Sequence, residues 1–218
     1  MMVIIIERYI TNIIYNVKRA MAAEVKDMKV SRADAERNRE RIIEVAAKLF
    51  RERGFDGIGV AELMKSAGLT HGGFYGHFAS KEDLMAQASA RALDASLGGL
   101  NRLAERSGSG SDALAAVASA YLSPAHRDQP GAGCALAALG AEGARHEAPV
   151  RAAFTCGVET AVDLLMRLLP DGPERARREQ ALAVYASMVG ALVLSRAVDD
   201  TALSDEVLQA VQAAIARI

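Results

Sequence analysis

Residues 66–84, SAGLTHGGFYGHFASKEDL, constrain the fold more than any other stretch of this chain. Gly68 is placed for a turn, Thr70 for the cap of a short helix over 70–76, and Ser80 for the cap of the next helix. Glu82 and Asp83 fall in that helix's first turn, where the dipole favours acids. Phe74 and Phe78, four apart, share one helical face and are expected in the core. Upstream, Ile42, Ile43, Ala46, Leu49 and Phe50 form one apolar stripe, and Gly54 follows as a left-handed cap with Phe55 behind it. A second short helix is expected at about 60–66, with Gly59 at its cap and Leu63 and Ala67 facing inward. Helix, turn and short helix in this order are the layout of a helix-turn-helix, which sets the start of its second helix in the major groove.

The rest of the chain reads as helical throughout, with no strand pattern and no internal repeat. Ser31 and Asp34 have capping-box spacing and open the first helix, with Arg37, Arg39 and Arg41 near its start. A long fourth helix runs to about Arg106 and ends in SGSGS. Further helices are expected at roughly 111–123, 133–147, 149–169, 173–198 and 204–217. Pro124, Pro130, Pro149, Pro170 and Pro173 fall at their boundaries, where proline does least harm. The fold class expected is therefore all-α: a three-helix N-terminal domain over 31–84, then a larger helical body over 85–218.

Residues 1–30 differ in kind. Ile, Asn, Tyr and Lys crowd the first twenty positions, whereas Ala, Gly and Arg dominate later. Two readings fit: a translated AT-rich upstream region with the start at Met21 or Met28, or a real arm able to touch DNA or pack on the body. A secretory leader does not fit, because Lys18 and Arg19 follow the apolar run instead of preceding it.

Composition excludes several classes. The formal net charge is −1, and acids and bases balance across 31–83, so DNA binding has to rest on where donors sit. Cys134 and Cys156 lie far apart with no metal-ligand spacing around them, which gives neither a disulfide framework nor a metal site. No Ser-His-Asp arrangement, phosphate loop or nucleotide fingerprint occurs at usable spacing, so neither an enzyme nor a cofactor is expected. No unbroken apolar run reaches the roughly 18–20 residues of a membrane span. A cytoplasmic protein with no membrane partner follows.

Donors for DNA do lie where a reader needs them. Thr70 offers a hydroxyl at the helix start, and His71 is the first side chain able to reach base edges. Tyr75 and His77 on the far half suit phosphates, and Lys81 adds charge to that line. Near the C-terminus, the helix over 181–198 carries two apolar rows, and Val207, Leu208, Val211, Ala214, Ile215 and Ile218 make a single stripe. Gly190 and Ala186, four apart, would allow another backbone close. This pair is read as half of a four-helix dimer interface through Ala186, Val189, Gly190, Val193, Val207 and Val211, the alternative being an internal bundle.

The run GLTHGGFYGHFASKEDL, with AERNRERIIEVAAKLFRERGFDGIGV before it, resembles the tetracycline-repressor (TetR) family of bacterial regulators over about 50 residues. The body fits more loosely, through its proline-marked helices and VGALVLSRAVDDTALSDEVL. The resemblance implies a homodimer on a palindromic double-stranded operator. Tyr75, His77 and Lys81 would contact phosphates, and Thr70, His71, Gly72 and Gly73 would form the base-facing turn. Two departures weaken phosphate gripping: Gly59 stands where the family commonly has a hydroxyl cap, and Ala61 where Arg or Lys often follows. Gly72, Gly73 and Gly76 cost helix stability at about 1 kcal/mol each, and point to close backbone approach or to ordering on DNA. The resemblance further implies an unidentified small-molecule effector in a pocket between the fourth helix and those following, with Tyr121, His126, Cys134, Phe154, Tyr185 and Met188 as candidate lining. PGAGCALAAL resembles a Gly-Cys helix start at which some relatives sense oxidants or electrophiles, and a helix N-terminus activates a thiol. Burial of both cysteines is the competing expectation. A dimeric helical scaffold that no longer binds DNA is the alternative function.

Overall fold

The computed structural model describes residues 32–108 and 110–218. Nine α-helices and two 3₁₀ segments make up these residues, with no strand among them. Ser31 and the segment 1–30, and with them the expected capping box and arm, lie outside the described residues.

Helix α1 (Arg32–Arg53) ends as expected. Gly54 has φ 78° and its N–H donates to Phe50 O at 2.8 Å. Phe55 then turns back onto Phe50, ring centroids 5.2 Å apart and edge to face. Helix α2 (Val60–Ser66) begins at Gly59, which provides no side-chain cap. It closes in a Schellman motif: Gly68 at φ 70° donates to Lys65 O at 2.9 Å, and Leu69 donates to Met64 O at 2.8 Å. This motif satisfies carbonyls that the helix end would leave bare.

The expected third helix is a 3₁₀ segment, His71–Gly76, and Thr70 accepts no side-chain cap hydrogen bond. Three glycines in six residues supply no side-chain contacts to hold a wider α-turn, and tighter i→i+3 bonding suits such short pieces. Phe74 anchors the segment at 0 % exposure, stacked at 5.6 Å on Phe78. Helix α3 (Lys81–Arg106) starts at Ser80, whose Oγ accepts from Asp83 N at 3.1 Å while Asp83 Oδ2 accepts from Ala79 N.

Beyond α3 come α4 (Ser111–Tyr121), α5 (Pro124–Arg127), a 3₁₀ turn at Pro130–Ala132, α6 (Ala135–Gly143), α7 (Ala148–Leu168), α8 (Glu174–Ala197) and α9 (Thr201–Ile215). Helix α5 was not expected from the sequence, although Ser123 followed by Pro124 marks it; Ser123 Oγ accepts from His126 N. Helix α9 starts three residues earlier than expected, because Asp200 caps it through Ala202 N and Leu203 N. Helix α6 stops at Gly143, short of the expected 147.

Residues 41–218 form one compact unit with two cores. One holds α1, α2, the 3₁₀ segment and the first part of α3, together with Ala135 and Leu139 of α6 and Val150 and Phe154 of α7. The other holds the rest of the body, Cys134 included. Helix α6 enters both.

Helix α8 is long and apolar enough to cross a membrane by length and composition, with mean hydropathy 1.3 over an 18-residue window. Its apolar residues are divided between two directions instead. Ala181, Val184, Tyr185, Met188, Ala191 and Leu192 are buried, whereas Leu182, Val193 and Leu194 are exposed.

Candidate DNA-reading surface and sensing core

The reading surface is built by anchoring alternate residues. Phe74 and Phe78 are pinned in the core, so the residues between and beside them point outward. His71, Gly72, Tyr75 and Gly76 are exposed, and Thr70 with them. Tyr75 is 72 % exposed, large for an aromatic, with its ring edge on Phe74 at 5.2 Å. Half-buried His77 lies tilted against Phe78, centroids 6.4 Å apart. Lys81 has a structural contact the sequence did not suggest: its Nζ donates to Phe55 O at 2.6 Å. The reader glycines face open space. A Cβ at Gly72 or Gly76 would meet nothing within 4 Å, and one at Gly73 only Met64 Cε at 3.7 Å.

Four of the six expected sensing residues come together. Tyr121 and His126 stack edge to face at 4.7 Å. His126 Nδ1 lies 2.6 Å from Tyr121 O, and Nε2 accepts Cys134 N–H at 3.0 Å. That pairing requires the proton on Nδ1. Cys134 Sγ is 3.9 Å from Tyr185 Oη. Burial raises both phenol pKa values above the usual 10, Cys134 adding to it, and lowers that of His126, with Arg196 and Arg51 working in the same direction. The Tyr121 hydroxyl is buried without a hydrogen-bond partner. Arg51 Nη1 reaches Gly133 O at 2.7 Å, and Arg196 Nη2 reaches His126 O at 2.9 Å. Burial disfavours the charge of each, and a cation so held favours an anion beside it. A cleft of about 380 Å³ opens beside Tyr121 and His126, lined also by Ala95, Gly99, Leu103 and Arg106.

The other two candidates separate. Met188 is packed in the same core as Cys134, but Phe154 belongs to the core of the reading half, with its ring where a Cβ on Gly143 would go. The cysteines differ as well. Cys134 sits at the N-cap of α6 and is 2 % exposed. Cys156, expected to be buried between Phe154 and Val158, is exposed. Phe154 is buried, and Cys156, two residues on, is turned to the outer side of α7. Sequence reasoning passed over Glu142 and His146, which join α6 and the residues after it to the turn at Phe55 and to Glu82. An acid near a helix end and a histidine just past it carry no pattern that separates them from solvated residues.

Of the expected interface residues of α8 and α9, Ala186 and Val193 are exposed and Gly190 is half-buried, whereas Val189, Val207 and Val211 are half-buried against the core of the body. Nothing lies within 4 Å of a Cβ at Gly190.

The sequence profile of the bacterial regulatory proteins of the tetR family matches residues 42–88. Among curated proteins, an HTH-type transcriptional regulator of Staphylococcus aureus strain USA300 is 43 % identical over 63 residues, 29 % of this chain and 34 % of that protein. The match therefore spans about a third of that relative's length. Among solved structures, the reduced form of Escherichia coli NemR is 27 % identical with a TM-score of 0.71, covering 83 % of this chain and 96 % of that one. A TetR-family regulator from Cytophaga hutchinsonii has the same fold at 24 % identity, TM-score 0.73, over 85 % of this chain and 96 % of its own. Residues 42–88 thus match the helix-turn-helix model of the tetR family of bacterial regulatory proteins, and the fold through the body is like that of solved regulators.

Proposed function

We propose that the protein is a homodimeric, sequence-specific DNA-binding repressor, released from a palindromic operator by a small-molecule or thiol-reactive signal. The observation that carries this reading is the reader surface itself. Tyr75 is held outward at 72 % exposure by two buried phenylalanines, beside exposed Thr70 and His71 and bare glycine backbone. A large exposed aromatic next to glycines that no internal contact requires suits a surface made to meet something else. With so little net charge, affinity comes from a few well-placed phosphate contacts, and each contributes about one unit of salt slope. The domain division into 31–84 and 85–218 belongs to the same reading; residues 41–84 and 85–218 fall in one compact unit. Dimerisation rests on the exposed apolar residues of α8 and α9, Leu182, Val193, Leu194 and Leu203 among them. It would set two readers one helical turn apart, roughly 34–36 Å.

For the signal, the polar core around Cys134 is the candidate. The thiol lies at a helix start with two half-buried guanidiniums nearby, and the similar NemR structure is described as a reduced form. A small-molecule effector in the neighbouring cleft, which His126 lines while its ring accepts the Cys134 N–H, is the other route to the start of α6.

The deciding experiment is a gel shift on the DNA upstream of the protein's own gene, and on randomised DNA selected for binding. Specific retardation that Tyr75→Ala abolishes supports the regulator. No retardation on either DNA, with the dimer intact, would replace it with the scaffold reading.

A further inference from the structure

Helix α6 is short and weak in itself. Its nine residues, Ala135–Gly143, include two glycines, and helices under about 12–15 residues are marginal alone. Its position is set by contacts at both ends. At its start, Arg51 Nη1 of α1 donates to Gly133 O at 2.7 Å. At its end, Glu142 Oε2 accepts the Phe55 N–H at 2.7 Å. Just beyond, His146 Nδ1 lies 2.6 Å from Glu82 Oε1, and its ring meets Phe55 edge-on at 4.9 Å. Between these grips Ala135 and Leu139 enter the core of the reading half, while Cys134 belongs to that of the body.

Glu142 breaks a local rule. An acid in the last turn of a helix faces the negative end of the dipole, so it does not serve the helix it stands on. Its carboxylate is turned to the backbone of another element. Gly54 is fitted to it: a Cβ there would meet Glu142 Oε1 at 2.7 Å. The Gly54–Phe55 turn sets the direction in which the chain leaves α1 for α2. Its N–H is held by Glu142 and its C=O by Lys81. A rule broken locally with a long-range partner in place is where function is expected.

We propose that Glu142 is a positioning residue, with His146 on Glu82 as the second grip. It fixes the orientation of the DNA reader to the place of α6, so that a change at the Cys134 end alters the spacing between the two readers of a dimer. The inference rests on the regulator reading above.

The test uses the full chain as wild type, Glu142→Gln, Glu142→Ala and His146→Ala. Palindromes are selected with the wild type, and their half-sites are then moved apart or together by single base pairs. Affinity is read by fluorescence anisotropy, and backbone order by amide hydrogen exchange. The wild type has a sharp optimum in spacing. Glu142→Ala lowers affinity there by about tenfold, the order expected for losing a hydrogen bond to a charged group, and flattens the profile. His146→Ala shifts the profile the same way by less. Glu142→Gln, which keeps an acceptor oxygen, stays near wild type and guards against a variant that merely fails to fold. Exchange at Phe55 rises by about tenfold in Glu142→Ala, with α8 and α9 unchanged. An equal loss at every spacing assigns Glu142 a structural role only and overturns the proposal, as does unchanged exchange at Phe55. If the wild type binds no selected DNA, the regulator reading has failed. The exchange result then decides by itself whether the grip exists.

Discussion

The glycines of the reader separate what the free fold needs from what DNA needs. None of Gly72, Gly73 and Gly76 has a positive φ, and a Cβ at Gly72 or Gly76 would meet nothing within 4 Å. In the free protein the substitutions Gly72→Ala and Gly76→Ala therefore add no clash and remove backbone freedom from the unfolded chain. Each is expected to stabilise by about 0.4–1 kcal/mol, and the pair by roughly 1–2 kcal/mol. For a chain of this size that raises the melting temperature by about 2–8 °C. On DNA the sign reverses. The added methyls stand where backbone would approach the groove, so operator affinity falls by about tenfold or more, the cost of a small packing misfit. The assay is a thermal melt beside an anisotropy titration of the double variant. A lower melting temperature would refute the reasoning about the free fold. A higher one with unchanged affinity would refute close approach and leave the glycines as a plain weakness in the reader.

Three further outcomes follow from the body. Exposed Cys156 reacts first with any maleimide, so Cys134 is tested in Cys156→Ser, where labelling is about a hundredfold slower because it waits on a local opening of roughly 2.7 kcal/mol; labelled Cys134 with unaltered DNA binding would end the thiol-sensor reading. Burial depresses the pKa of His126, so the unfolded chain binds its proton first as pH falls. Stability is then full above the ordinary histidine value of about 6.5 and declines below it, since a second ring N–H would face Cys134 N–H; urea unfolding at a series of pH values checks this, and a His126→Gln variant with the same slope would refute it. Val193→Asp, at a site 42 % exposed in the monomer, leaves monomer stability within about 0.5 kcal/mol and abolishes the dimer; a dimer that persists in analytical ultracentrifugation would move the interface elsewhere.

What was legible in the sequence had local causes. Gly54, Gly68 and Ser80 were readable because a left-handed turn or a cap needs a particular residue type at one position. Phe74 and Phe78 were readable from helical spacing. The 3₁₀ form of the reader was not, because glycine content says that a helix is weak and not which hydrogen-bond register it keeps. Cys156 was misjudged because Phe154 two residues before it is buried, and on α7 residues two apart do not share a face. Phe154 is a candidate for the pocket that the family resemblance implies, and only tertiary packing puts it opposite Gly143 in the other core. Glu142 and His146 escaped for a related reason: their partners, Phe55 and Glu82, lie 87 and 64 residues away.

The grips on α6 also set a scale for regulation. A hydrogen bond to a charged group contributes about 1.5–3 kcal/mol. Arg51 on Gly133 O and Glu142 on Phe55 N–H are of this kind, as is His146 on the Glu82 carboxylate. Reversing a two-state balance from 1:99 to 99:1 takes about 5.5 kcal/mol of differential binding. One grip falls short of that, and it takes two or three together to come into its range. On the proposed mechanism a signal confined to the Cys134 end disturbs the Arg51 contact first, and alone it would yield partial release. Full release would then require that α6 shift as a body and carry Glu142 off the Phe55 turn. A nine-residue helix that spans two cores is suited to that motion, since little of its own hydrogen bonding holds it in place.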